Sequence, residues 1–227
     1  MDNSLDIVKV RFTKSTTDDV ARFKQEIGAF KERFMTEGPG VIGTPGVHAE
    51  LLAAGAEDGA EERNELDVGL DLMELYKVEL AAVQGKREKL VRAEKLFDLP
   101  ITSYPDLVFI EDEIAGLDTI YGLYARFKAD REEWSKRRWS ELDVDVLVAG
   151  IARYQKELKH MTAALHLIPY GIVKGHIQGF KETIPLFSDL KNEALRDRHW
   201  KQLMEVTGKH FDLTSKDFTL KVYIPFF

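Results

Sequence analysis

The chain has 227 residues, a net charge of −7, 31% charged and 44% hydrophobic residues, and no cysteine. The acidic balance argues against a nucleic-acid surface as the main role, because phosphate binding needs a basic face. The missing cysteines exclude disulfides, thiol nucleophiles and cysteine metal sites, and no run approaches the roughly 18 apolar residues of a membrane span.

The first residues are polar and acidic, without a basic and then apolar leader, so the expectation is a cytoplasmic chain. Ser15 with Asp18, and Thr16 with Asp19, read as helix N-caps followed by acid in the first turn. Val20, Phe23, Ile27, Phe30 and Phe34 then recur three or four apart. That spacing predicts an amphipathic helix over 15–37, after an N-terminal extension at 1–14. Gly38-Pro39-Gly40 stops it. Residues 38–62 hold six Gly and two Pro among many Ala and Glu, which suits a flexible insert bounded at 38–64, with room for a short helix at 48–54.

A long helix is predicted over 65–97, with Met73, Tyr76, Leu80, Val83, Arg87, Leu90, Glu94 and Phe97 forming a heptad-like seam. Only Arg87 and Glu94 are charged on that seam. At about 1.5 Å per residue the helix is a strut roughly 50 Å long. The following L-P-I-T-S-Y-P run, from Leu99, breaks the chain because each proline removes a donor and restricts its predecessor. Leu107, Ile110, Ile114, Leu117, Tyr121 and Tyr124 mark the next helix, expected to reach Trp139. Another starts at Leu142-Asp143 and carries Leu147, Ile151, Tyr154, Leu158, Met161 and Leu165.

Pro169 and Gly171 separate it from a helix around 172–183, which Pro185 should kink or end. A helix over 186–204 follows, with Gly208 as its C-terminal stop. Only residues 218–227 have strand-like content. The expected fold is all-α: an elongated bundle of long antiparallel helices, a flexible insert, and little or no β.

Candidate chemistry is sparse. Gly38-Pro39-Gly40-Val41-Ile42-Gly43 matches G-x-G-x-x-G, but it follows a helix where a dinucleotide site needs a strand. No P-loop pattern occurs, and the six histidines lack zinc spacing. Glu111-Asp112-Glu113 lies mostly off the apolar seam and reads as a solvated face. Lys136-Arg137-Arg138 between Trp134 and Trp139 is basic and aromatic. Flanking Glu132, Glu133 and Glu141 favour a helix end packed by two indoles over a nucleic-acid patch. Arg196, Asp197, Arg198, His199 and Trp200 are consecutive, and neighbours on a helix do not share a face. A structural clasp is expected there rather than an active site, and Trp200 is its expected buried member.

Longer motifs carry a resemblance. L-F-D-L-P-I-T-S-Y-P-D-L from Leu96 holds Phe97, Pro100, Tyr104 and Pro105, and I-Y-G-L-Y follows from Ile120. Next come Trp134 and W-S-E-L-D from Trp139, then F-K-E-T-I-P-L through Pro185. The series closes with L-K-N-E-A-L-R-D-R-H-W, ending in Leu195, Arg196, Asp197, Arg198, His199 and Trp200. Together, over about residues 17–220, these resemble the second N-terminal region of dynein heavy chains, with axonemal members the nearer likeness. The domain division this implies is a linker-type helical region at 65–220 and an atypical tail at 221–227. Relative to the family pattern, residues 44–62 look inserted and the chain resembles a fragment.

The resemblance implies a non-catalytic tail-to-linker segment of a microtubule motor. In that family the linker spans an AAA+ ring and swings as ATP turns over, while the preceding tail holds docking sites and associated chains. Implied partners are the rest of the heavy chain, with its ring and tail, and intermediate and light chains. Microtubules are engaged only indirectly, nucleic acid and membrane are not partners, and no cofactor is required. The implied location is the cytoplasm and the axoneme of a cilium or flagellum. Two rival readings are a free-standing helical scaffold binding protein partners and a helical enzyme using Asp197, Arg198 and His199.

Overall fold

A computed structural model describes residues 2–53, 64–208 and 219–220. Seven α-helices occupy them: α1 (Asp2–Glu37), α2 (Ala49–Ala53), α3 (Glu65–Leu96), α4 (Pro105–Lys136), α5 (Val144–His160), α6 (Ile168–Leu190) and α7 (Asp197–Thr207). The described residues form no strand beyond an isolated antiparallel bridge between Arg138 and Thr219. The fold is an all-α helical bundle. The expectations for residues 54–63 of the insert and 221–227 of the tail lie outside the described residues.

The chain packs as two units. The first holds α1, α2, α3, α4 up to Tyr121, and Leu167–Pro169. Its core joins Phe23, Ile27, Phe30 and Phe34 of α1 to Met73, Tyr76, Leu80 and Val83 of α3 and Leu107, Ile110, Ile114 and Leu117 of α4. The predicted stripes are therefore the buried stripes. Tyr76 lies 5.9 Å from the Phe30 ring and 5.6 Å from the Phe34 ring. Ion pairs record helix direction: Glu26 meets Lys86 and Arg33 meets Glu79, so α1 and α3 are antiparallel. Lys77 meets Asp118 and Arg87 meets Glu111, which makes α3 and α4 antiparallel as well.

Helix α1 begins at Asp2, well before the Ser15 and Thr16 caps that the sequence suggested. No Gly or Pro interrupts residues 2–27, and Thr16 turns its hydroxyl back to the Phe12 carbonyl at 2.9 Å instead of capping a new helix. The start of the Gly-rich stretch is also packed rather than loose. Pro39 and Ile42 are buried, and the Tyr121 hydroxyl donates to the Pro39 carbonyl at 2.7 Å. Helix α3 starts where expected, at a capping box in which Asn64 and Asp67 each accept from the other's backbone N–H.

The second unit holds α4 from Gly122, α5, α6 from Tyr170, and α7. Phe127 sits 5.6 Å from the Tyr154 ring and 6.1 Å from the Phe180 ring. Arg126 pairs with Glu157 and Asp130 with Arg153, so α4 and α5 run antiparallel. Tyr154 is buried and donates to Asp130 at 2.6 Å. Four boundaries differ from expectation, the first being the start of α6 at Ile168, ahead of the Pro169 and Gly171 expected to precede that helix. Helix α4 ends at Lys136, because Trp139 belongs to a single 3-10 turn, Trp139–Glu141. Helix α6 runs through Pro185 to Leu190. Pro185 is on the exposed side, where the Lys181 carbonyl it leaves unpaired can be solvated, which lowers the usual cost of an internal proline. Finally, residues 191–196 break the helix expected over 186–204.

Candidate functional site

Two places gather the residues that the sequence singled out, one in each unit. In the first unit, the corner between α3 and α4 is closed by a buried carboxylate. Asp98 takes a left-handed backbone (φ 52°), the Leu99 N–H returns to the Glu94 carbonyl at 2.8 Å, and α3 ends. Glu94 is 2% exposed, and its carboxylate accepts from the Thr102 N–H at 3.1 Å and from the Thr102 hydroxyl. A buried charge persists when it is hydrogen-bonded in this way. The charge on the α3 seam thus holds the loop, not a ligand.

Around that clamp, Phe97 stacks on Phe12 at 5.8 Å and Tyr104 meets Phe23 edge-on at 5.1 Å. Burial, and then the Glu94 charge, push the Tyr104 phenol above its ordinary value. Pro105 is the first residue of α4, where its missing N–H costs nothing. Leu96 and Pro100 point outward, Leu96 being 76% exposed. Glu111 is not simply solvated: Gln84 donates to it at 2.7 Å and Arg87 lies 3.4 Å away.

In the second unit, Trp134 is buried against Phe180 at 5.6 Å and lies over Gly150, where a β-carbon would come within 2.6 Å of the indole. Trp200 is 7% exposed and meets Trp139 edge-to-face at 6.4 Å. Lys191 adds a tie that the sequence did not reveal. Its ammonium donates to the Leu142 carbonyl and sits 5.9 Å above the Trp139 ring. Leu220 is fully buried, and its N–H donates to the Arg137 carbonyl at 3.4 Å.

Burial in the five-residue cluster falls on one member. Arg196, Asp197 and Arg198 are exposed, Leu195 and His199 are half-buried, and only Trp200 is buried. Arg196 stands outside α7 as its N-cap, and its backbone N–H donates to His199 Nδ1 at 3.0 Å. Neighbouring side chains do meet here: Arg198 Nε lies 3.2 Å from His199 Nε2. Nδ1 uses the one lone pair a neutral imidazole offers in the ring plane, so the cap bond sets the tautomer and the Arg198 contact is a close approach. Asp197, Arg198 and His199 assemble no nucleophile and base. Gly208 (φ 66°) ends α7 in the left-handed region.

Among the described residues no group of three metal-ligating side chains is placed to hold an ion, and no helix is long and apolar enough to cross a membrane. Both gatherings organise helix ends and junctions.

The family model described as dynein heavy chain, N-terminal region 2, matches residues 107–225, reaching into the tail set apart at 221–227. The chain is 38% identical over 222 residues to dynein axonemal heavy chain 10 of Homo sapiens, covering 97% of this chain and 4% of that protein. It is 39% identical over 220 residues to the dynein-1-alpha heavy chain of the flagellar inner arm I1 complex of Chlamydomonas reinhardtii, again 97% of this chain and 4% of the relative. Identity to the flagellar outer arm dynein gamma chain of Chlamydomonas reinhardtii is 32% over 138 residues, 60% of this chain and 3% of the relative. The chain thus spans about 4% of the length of the first two relatives. It belongs to the dynein heavy chain family, with residues 107–225 matching that family's N-terminal region 2.

Proposed function

We propose that the chain is a non-catalytic tail-to-linker segment of an axonemal dynein heavy chain, serving as a mechanical lever element in ciliary or flagellar movement. The observation that carries this reading is the alignment of 97% of the chain with axonemal heavy chains of which it covers only 4%. Antiparallel helices tied by interhelical ion pairs and aromatic contacts suit force transmission, because packed helices resist shear. ATP is hydrolysed by ring modules elsewhere in the parent heavy chain. The partners are the remaining ring and tail together with intermediate and light chains, and the site of action is the axoneme.

The test removes this segment from an axonemal heavy chain and measures ATP hydrolysis and microtubule gliding together. Hydrolysis should persist while gliding is lost. Gliding at the parent velocity would overturn the lever role and leave a scaffold that binds partners. ATP turnover that scales with the concentration of the isolated chain would overturn the non-catalytic assignment.

A further inference from the structure

Arg137 and Arg138 lie three and two residues before Ser140, between α4 and α5. Two adjacent guanidinium groups upstream of a serine are the charge pattern that an acidic substrate cleft selects. We propose that Ser140 is a phosphorylation site for an arginine-directed, ATP-dependent serine kinase.

The local backbone suits that use. Ser140 is exposed and sits on a single 3-10 turn, with extended backbone at Arg138 (φ −63°, ψ 145°) and Leu142 (φ −68°, ψ 119°) on either side. Freeing it as an extended peptide breaks the Glu141 N–H to Arg138 bond of 3.0 Å, the Leu142 N–H to Trp139 bond of 3.4 Å and the Leu220 N–H to Arg137 bond of 3.4 Å. No long helix need melt. By contrast, Ser135 and Ser188 lie inside α4 and α6, and Ser103, although in a loop, follows Pro100-Ile101-Thr102 with no upstream cation.

Both arginines are within reach of a cleft. Arg137 is 38% exposed on Glu133 and Arg138 is 50% exposed beside Glu141 at 3.6 Å. Surface pairs of this kind are weak and exchange readily for other carboxylates. The resistance lies at Trp139, which must lift from Trp200 and from beneath Lys191, and at the buried Leu142, whose carbonyl holds the Lys191 ammonium. The tryptophan contact therefore gates the modification. In the transfer, Ser140 Oγ attacks the γ-phosphorus of ATP, the bond to the bridging oxygen breaks and ADP departs. The hydroxyl proton passes to the kinase's carboxylate. The new phosphate, carrying about −1.5 to −2 charge, repels Glu141 and competes with it for Arg138.

The test incubates the purified chain with an arginine-directed serine kinase and ATP, and locates phosphate by peptide fragmentation. A synthetic peptide spanning residues 133–145 serves as the unfolded reference. Phosphate should appear on Ser140, vanish in Ser140→Ala and fall sharply in Arg138→Ala. In Trp200→Ala, shown to be helical by circular dichroism, it should appear about tenfold faster, as about 1.4 kcal/mol off the opening cost produces. Should Trp200→Ala not fold, Lys191→Met serves in its place. A labelled peptide with an unlabelled chain overturns the site, and so does an unlabelled peptide. Equal rates in the parent and the loosened variant overturn the gate.

Discussion

The Tyr121 side chain lies directly over Gly69: a β-carbon placed on that glycine would fall 2.2 Å from the phenol oxygen. The same hydroxyl donates to the Pro39 carbonyl at 2.7 Å, so one phenol on α4 joins the start of α3 to the turn after α1. Burial pushes its ionisation well above the ordinary phenol value, which keeps the donor proton in place. Gly69→Ala should therefore cost about 1–3 kcal/mol through overpacking. Gly28→Ala on α1, where nothing lies within 4 Å of the new carbon, should instead stabilise by about 0.5–1 kcal/mol. Urea midpoints of the two variants should move in opposite directions.

The Glu94–Thr102 clamp makes a coupled pair. Glu94→Ala leaves the Thr102 N–H and hydroxyl without their acceptor, and Thr102→Val leaves a buried carboxylate short of a donor. Each should destabilise by about 1–3 kcal/mol. A double-mutant cycle should return a coupling of about 0.5–3 kcal/mol, and additive losses would show that the two residues act separately.

Trp200→Ala should cost about 3–5 kcal/mol, because a buried indole is removed and Trp139 loses its edge-to-face partner. A thermal melt that does not move would contradict the burial. Arg198→Ala, at an exposed position, should change stability by less than about 0.5 kcal/mol.

Burial, followed by the bond to Asp130, pushes the Tyr154 phenol from 10.0 up to about 12. Folding thus favours the protonated phenol. That contribution is fully present below the unfolded value of 10.0 and is lost as pH rises toward about 12. Tyr76, Tyr104 and Tyr121 shift the same way. Urea midpoints should fall between about pH 10 and about pH 12, and Tyr154→Phe should flatten part of that fall.

Periodicity made the helices legible. The stripes of Phe23 to Phe34, Met73 to Val83, Leu107 to Tyr124 and Leu147 to Leu158 were readable because burial selects apolar side chains every three or four residues. Leu165, the last member of its stripe, falls beyond α5 and is exposed. Gly208 was likewise readable as a left-handed stop, whereas the Asn64 cap of α3 emerged only in the structure. Boundaries fared worse where propensity and context compete. Pro185 carries the same local penalty anywhere, and only its exposed placement on α6 lets the helix continue.

The sequence by itself determined the all-α class, the apolar faces and the family, because these rest on residue spacing and on long shared motifs. The tertiary structure decided what individual polar and aromatic residues do. Glu94 reads as a misplaced charge until Thr102 folds back on to it, and Lys191 gives no sign that it will meet Leu142 and Trp139. Trp200 is one of five conspicuous neighbours until α7 turns it alone inward. Such contacts join residues far apart in the chain, and no local pattern encodes which distant backbone group will lie within hydrogen-bonding reach.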